Sequence, residues 1–253
     1  MKIKNIVFLG RKPLAYEAIK YLLCEGYTIK YVILDSLRYC YGIPVETNDK
    51  TLYSLISKKS QKIANIDLVV SYLYWRRIKQ PLIDLPRYGC INFHPAPLPD
   101  YKGRAGYNTA ILDGRKKYGV SAHYITDERF DAGPIIKVTE FPIDENENAY
   151  TLEEKSQKQL FLLFKDTLEK LNLESKINTI KNKGGIYVSS DQLEKMKKVD
   201  LKTKKTNIIN KKIRAFFFPP YSGAYIKIKD EKFTLVNQET LSFINKKLNN
   251  AKK

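Results

Sequence analysis

Four short apolar runs, at residues 3–9, 28–34, 66–71 and 90–94, set what this chain can fold into. Each has the length of a strand rather than a helix, and together they hold many β-branched residues, which predicts strands buried on both faces. Between the first two, Leu14, Ala15, Ala18, Ile19, Leu22 and Leu23 recur at the spacing of one helix face, and Gly26 follows where a left-handed cap ends a helix. Strand, helix and strand in this order predict an α/β fold built on a doubly wound, mostly parallel sheet. Such sheets bind ligands beyond the carboxyl ends of their strands. The fourth run ends at His94.

Farther along, residues 107–112 read as a helix, while 120–125 and 135–141 read as strands. Residues 150–171 carry a long helical stripe of Leu152, Leu160, Leu163, Phe164 and Leu168. The basic segment 195–212 reads as a linker plus one amphipathic helix. Residues 224–228 and 232–236 alternate on either side of the polar turn Lys229-Asp230-Glu231, which predicts a β-hairpin. The expected division is a main domain over 1–190 and a small appendage over 191–253. No internal repeat is visible.

The length of 253 residues is ample for a sizeable core. No early apolar stretch approaches a membrane span, and the N-terminus lacks the apolar region and small-residue cleavage site of a secretory leader. Cys24, Cys40 and Cys90 are odd in number and have no CxxC spacing, which argues against a disulfide framework and a structural zinc site. The expectation is a cytoplasmic protein without a metal. A formal net charge of +18 raises nucleic acid, an anionic membrane surface or a phosphorylated substrate as partner. No Lys/Arg run is interleaved with stacking aromatics, however. The charge therefore reads as dispersed surface lysine, densest over 195–212.

Only two histidines occur, His94 and His123. His94 sits in Ile91-Asn92-Phe93-His94-Pro95-Ala96-Pro97-Leu98-Pro99, and on a strand Asn92 and His94 point to the same side. An amide donor and the side chain that most readily exchanges protons near neutral pH then share one pocket. Downstream, Phe130-Asp131-Ala132-Gly133-Pro134 places a carboxylate in a tight turn. Asn, His and Asp together suggest acyl-group chemistry.

The stretch Gly89-Cys90-Ile91-Asn92-Phe93-His94-Pro95-Ala96-Pro97-Leu98-Pro99-Asp100-Tyr101-Lys102-Gly103-Arg104, then Gly119-Val120-Ser121-Ala122-His123 and Asp131-Ala132-Gly133-Pro134, resembles the catalytic core of the 10-formyltetrahydrofolate-dependent formyltransferases. The Asn-x-His-Pro element, the Leu-Pro-x-Tyr-x-Gly loop, the Gly-Val strand and the Asp-x-Gly turn occur in that family's order. The resemblance implies that Asn92, His94 and Asp131 are catalytic and that 10-formyltetrahydrofolate is the co-substrate. Tyr74, Trp75, Arg76, Arg77 and Ile78 occupy the place of the family's folate-binding loop. Trp75 and Arg76 stand where small residues are usual, which leaves backbone contacts to the pterin. When an amine attacks the formyl carbon, the developing oxyanion needs preorganised donors, which Asn92 and protonated His94 supply. Asp131 holds His94 or takes the amine proton, and the sequence leaves the choice of base open. His123 reads as structural, and Tyr101, Gly103 and Arg104 as loop-shaping rather than reactive.

The amine is narrowed by what surrounds the motif. The first turn, Gly10-Arg11-Lys12-Pro13-Leu14-Ala15, lacks a Gly/Ser-rich phosphate cradle, which disfavours glycinamide ribonucleotide. Initiator methionyl-tRNA would suit the charge, but the members acting on it carry a C-terminal β-barrel, and roughly 50 residues follow Thr203, too few for one. The segment Arg214-Ala215-Phe216-Phe217-Phe218-Pro219-Pro220-Tyr221-Ser222-Gly223-Ala224 instead resembles that of sugar N-formyltransferases. Those enzymes act on nucleotide-linked amino sugars such as dTDP-4-amino-4,6-dideoxyglucose, toward surface polysaccharide or O-antigen. The resemblance implies that Phe218 and Tyr221 contact the nucleotide while Gly10, Lys12, Pro13 and Tyr101 line the sugar side. The tail phenylalanines read equally well as docking groups. The alternatives kept are a methionyl-tRNA formyltransferase-like enzyme and a non-catalytic basic RNA-binding protein on this fold. A homodimer pairing through the hairpin edge is expected, with no membrane partner.

Overall fold

The computed structural model describes residues 2–36, 40–174, 177–200, 202 and 205–250. The chain forms two compact units, and it passes between them several times. The first comprises Met1–Lys102, Gly119–Glu140 and Ser156–Gly185, the second Gly103–Tyr118, Phe141–Lys155 and Ile186–Lys253.

In chain order the elements of the N-terminal part are β1 (Asn5–Gly10), α1 (Pro13–Cys24), β2 (Thr28–Ile33), β3 (Val45–Glu46), α2 (Lys50–Ser57), a 3-10 turn at Gln61–Ile63, β4 (Leu68–Tyr72) and β5 (Cys90–His94). After β6 (Tyr101–Gly103) and α3 (Gly106–Leu112) come β7 (Lys117–Ile125), β8 (Ile135–Pro142) and α4 (Ala149–Leu173). A seven-stranded sheet runs β3-β2-β1-β4-β5-β7-β8. The pairs β2–β3, β1–β2, β1–β4 and β4–β5 are parallel, and β5–β7 is antiparallel. This is the doubly wound α/β sheet read from the four apolar runs.

The α1 helix ends as its sequence implies, with Gly26 at φ 80° and its N–H donating to the Leu23 carbonyl. Strand order reverses between β1 and β4, where the carboxyl-terminal residues Gly10 and Tyr72 are register partners. A crevice opens at such a switch point. The segments that follow β1, β4 and β5 all leave the sheet at this end.

One face of the sheet is filled by Val7, Leu9, Ile33, Leu52, Ile63, Val69, Ile78 and Leu82. On the other, Phe8, Tyr72, Phe93 and Phe164 form a chain of ring contacts with centroids 5.0–6.3 Å apart. Phe164, on α4, is fully buried, and truncating such a ring to alanine costs about 3–5 kcal/mol. This packing fixes the strands whose ends carry the site.

The second unit contains α3, β9 (Ile186–Val188), α5 (Ser190–Met196), α6 (Thr206–Phe216), β10 (Tyr225–Ile228), β11 (Glu231–Thr234) and α7 (Gln238–Asn250). The α6 helix packs on α3, and Asn108 Nδ2 donates to the Ala215 carbonyl at 2.6 Å. Arg214 donates to the carbonyls of Glu145 and Glu147. Two expectations need correction. The hairpin turn is Lys229-Asp230 alone, because Glu231 pairs with Ile228 and Lys229 takes φ 51°. The segment 195–212 holds the expected connection and the amphipathic helix α6, but its first two residues end α5, which opens with a capping box in which Ser189 and Gln192 satisfy each other's backbone N–H groups. Within that segment Leu201, Thr203 and Lys204 lie outside the described residues. Among the described residues no helix is long and apolar enough to cross a membrane.

Candidate active site

At the carboxyl end of β5, Asn92 and His94 project to the same side and meet one atom, Oδ1 of Asp131. Asn92 Nδ2 donates to it at 3.2 Å and His94 Nδ1 lies 3.4 Å away. Asp131 reaches this point from the turn between β7 and β8, held in the left-handed region at φ 49°. A non-glycine residue is uncommon there and persists where its surroundings impose it.

His123 belongs to the same cluster. The antiparallel register of β5 and β7 sets it opposite Asn92, with its Nε2 3.0 Å from Asn92 Nδ2 and 3.5 Å from Asp131 Oδ1. Its reading as a structural histidine placed it away from the chemistry, because one strand's sequence does not reveal its cross-strand partner. Ser71, the register neighbour of Asn92 on β4, donates its hydroxyl to Asn92 Oδ1 at 2.7 Å.

Carbonyl oxygens only accept, and this fixes both tautomers. His123 Nδ1 is 2.8 Å from the Tyr124 carbonyl and so carries a proton. Its Nε2 is then the acceptor for the Asn92 amide. His94 Nε2 is 2.9 Å from the Tyr101 carbonyl and likewise carries a proton. The atom of His94 that gains or loses a proton is therefore Nδ1, the one that faces Asp131. With Ser71, His94, His123 and Asp131 all buried, water does not screen these charges and their interactions are strong.

The remaining candidates fall in three places. In the loop after β4, Asp49 ties down Tyr74 and Arg76, at 3.4 and 3.6 Å. The Arg76 guanidinium lies over the Trp75 ring at 5.4 Å and that of Arg77 over Phe130 at 5.3 Å. Ile78 is buried in the sheet core, which leaves its backbone as the part able to meet a ligand. Burial raises the Tyr74 hydroxyl well above its ordinary range, reinforced by Asp49.

Beyond β1, a side chain at Gly10 would collide with Phe8 and Ala15. Lys12 adopts φ 72° just before Pro13 opens α1. Burial, helped by the neighbouring Arg11 and opposed by Asp35, lowers the Lys12 ammonium to about 8. Tyr101 is buried and serves His94 through its carbonyl.

In the second unit, Phe216 is buried, and Phe217 packs edge-on against Phe243 at 5.7 Å. Phe218 and Tyr221 pair at 5.9 Å and line an open cleft of about 150 Å³ together with Pro219, Pro220, Leu235 and Val236. Among the described residues no group of three His, Cys, Asp or Glu side chains is arranged to hold a metal ion.

A family model described as formyl transferase matches residues 45–165, a span that holds Asn92, His94, His123, Asp131 and the 74–78 loop. Methionyl-tRNA formyltransferase from Bacillus pumilus is 31% identical over 185 residues, covering 65% of this chain and 56% of that relative's length. The match thus spans little more than half of that relative. A 4-N formyltransferase from Francisella tularensis shares the fold, with TM-score 0.75 at 21% identity over 94% of this chain and 98% of that one. The formyltransferase PseJ from Anoxybacillus kamchatkensis, solved with UDP-4,6-dideoxy-4-formamido-L-AltNAc and tetrahydrofolate, is 26% identical over 76% of this chain and 88% of its own, with TM-score 0.58. The carboxylate, imidazole and amide at the end of β5 and the sheet that carries them lie in the part of the chain, residues 45–165, that matches the formyl transferase family model.

Proposed function

We propose that this chain transfers the formyl group of 10-formyltetrahydrofolate to the amine of a nucleotide-linked amino sugar, of the type of dTDP-4-amino-4,6-dideoxyglucose, for surface polysaccharide. The observation that carries the reading is the convergence of Asn92, His94 and Asp131 on one buried oxygen at the carboxyl end of β5. The amine nitrogen bonds to the formyl carbon, and the carbonyl oxygen becomes an oxyanion that receives hydrogen bonds from His94 Nδ1 in its protonated form and from Asn92 Nδ2, whose hydrogen turns to it from Asp131 Oδ1 as that carboxylate is protonated. Asp131 takes the proton that the amine sheds. The intermediate collapses with cleavage of the bond between the formyl carbon and N10 of the folate, and N10 leaves with the proton that Asp131 took from the amine, which returns the carboxylate to its starting form.

The aromatic cleft of the second unit supports a nucleotide as the recognition handle. Phe218 and the exposed Tyr221 offer flat apolar surface for a pyrimidine. The loop 74–78 is the proposed folate contact, and Gly10, Lys12 and Pro13 the proposed contacts on the sugar side. The proposal includes a cytoplasmic homodimer, a catalytic domain over 1–190 with its appendage at 191–253, and a reaction that needs no metal. The second reading, charged initiator tRNA, rests on the name of the Bacillus pumilus relative and on the net charge of +18.

Formyl transfer by purified protein from the folate donor to dTDP- and UDP-linked amino sugars, with charged initiator tRNA alongside, tests both readings. Turnover on a sugar nucleotide that falls by roughly two to three orders of magnitude in Asn92→Ala, His94→Ala and Asp131→Ala is the expected result. Equal or faster formylation of the tRNA moves the second reading ahead, and near-normal turnover by His94→Ala refutes the site.

A further inference from the structure

We infer that Asn182 is a positioning residue that holds Asp131 in its working conformation, an inference that rests on the proposed role of Asp131. The segment after α4 forms an antiparallel bridge with the start of β8: the Ile135 N–H donates to the Ile180 carbonyl at 2.9 Å and the Ile180 N–H to the Ile135 carbonyl at 2.8 Å. In that register residue 182 lies opposite residue 133. Both hydrogens of the Asn182 amide are spent there. Nδ2 donates to the Asp131 carbonyl and to the Gly133 carbonyl, each at 2.9 Å.

One side chain thus clamps the two ends of the three-residue turn from which Asp131 reaches the cluster. The turn needs such a clamp. Asp131 is held in the left-handed region, where an isolated L-residue does not stay. From the other side the turn is wedged against β7, because a Cβ at Gly133 would collide with the Tyr124 carbonyl. Gly133 fixes how closely the turn approaches the strand, and Asn182 fixes how it is rotated. A side-chain amide nitrogen carries two hydrogens and can serve two separate carbonyl acceptors at once.

Asp131 Oδ1 in turn is met by Asn92, His94 and His123, so rotation of the turn misaligns all three at once. Displacements of about an ångström at reacting groups cost on the order of a hundredfold in rate. Asn182→Ala removes the clamp. Asn182→Asp keeps the shape but sets carboxylate oxygen against two carbonyl oxygens. Asn182→Gln keeps the donors on a side chain one methylene longer.

The experiment has two arms. In the first, kcat of Asn182→Ala and Asn182→Asp should fall about ten- to a hundredfold, with KM for folate and amine changed by less than about threefold, and Asn182→Gln should recover part of the loss. In an Asp131→Ala background Asn182→Ala should cost nothing further, since the two act as one unit. A loss of the same size in that background, or unchanged kcat in both variants, overturns the inference. In the second arm, the two histidines give two sets of ring signals by NMR, and both histidines touch Asp131. Both sets should move in Asn182→Ala and Asn182→Asp while the melting temperature stays within a few degrees. Ring signals that do not move refute the clamp. If Asp131→Ala itself keeps full turnover, the proposed function fails, and the NMR arm still decides whether Asn182 holds the turn.

Discussion

Lys12→Met should stabilise this protein while weakening its hold on an anionic ligand. The ammonium at Lys12 falls from an ordinary 10.5 to about 8, chiefly through burial and then through Arg11, with Asp35 acting the other way. At 1.36 kcal/mol per pKa unit this corresponds to about 3 kcal/mol of cost for the charged form. Part of the side chain remains in contact with solvent, and screening reduces the figure to about 1–2 kcal/mol. The sign follows from linkage. Below pH 8 both folded and unfolded chains carry the proton and the cost is fully present. Between pH 8 and 10.5 the unfolded chain binds more protons, so stability rises with pH, and above 10.5 the cost is gone.

Methionine keeps the length without the charge and has the same backbone requirement at φ 72°. The melting temperature of Lys12→Met at pH 7 should therefore exceed that of the parent by about 3–6 °C. The gap should close as the pH is raised from 8 to 10.5 in a thermal-unfolding series. The same variant should bind a nucleotide sugar about tenfold more weakly, since a charge-assisted contact to an anionic group is lost with the ammonium. A melting temperature equal to the parent's, or a gap that does not narrow over that pH range, refutes the assignment of strain to this ammonium.

Ser71→Ala leaves Asn92 Oδ1 without its hydroxyl donor and should lower kcat by about tenfold, as expected for 1–3 kcal/mol at an unpaired buried acceptor. Ser71→Thr, which keeps the hydroxyl on a strand, should restore most of it. Tyr221→Ala should weaken nucleotide binding by about tenfold or more by titration calorimetry, because stacking on a base contributes about 1–3 kcal/mol. Unchanged affinity would remove the cleft at Phe218 and Tyr221 from the site. Association with tRNA should be weak and should fade steeply from low to physiological salt, as counterion release alone requires. Sugar formylation unaffected by added tRNA is the matching kinetic result.

What could be read from the chain and what could not differ by the range of the interactions involved. The strand at 90–94 was legible because the apolar Cys90, Ile91 and Phe93 form a short run that suits a central strand buried on both faces, and the helix at 13–24 because its apolar residues recur on one face. Strand alternation also brought Asn92 and His94 to one side, since period two is a local property of the backbone. The α7 helix was missed because its sequence is largely polar and only partial burial in the second unit sustains it. The turn of the hairpin was read one residue too long because Glu231, polar and exposed, pairs with Ile228 through its backbone, which its side chain does not reveal.

The sequence alone determined the α/β class, the order of its strands along the chain and the identity of the amide, imidazole and carboxylate that meet at the end of β5. Only the tertiary structure decided which side chains hold them. Ser71 reaches Asn92 through the parallel register of β4 with β5, His123 through the antiparallel register of β7 with β5, and Asn182 through a bridge from a segment 51 residues beyond Asp131. The physical reason is that periodicity reports which face a residue presents, whereas cross-strand register depends on how distant segments slide against one another until their buried donors and acceptors are satisfied.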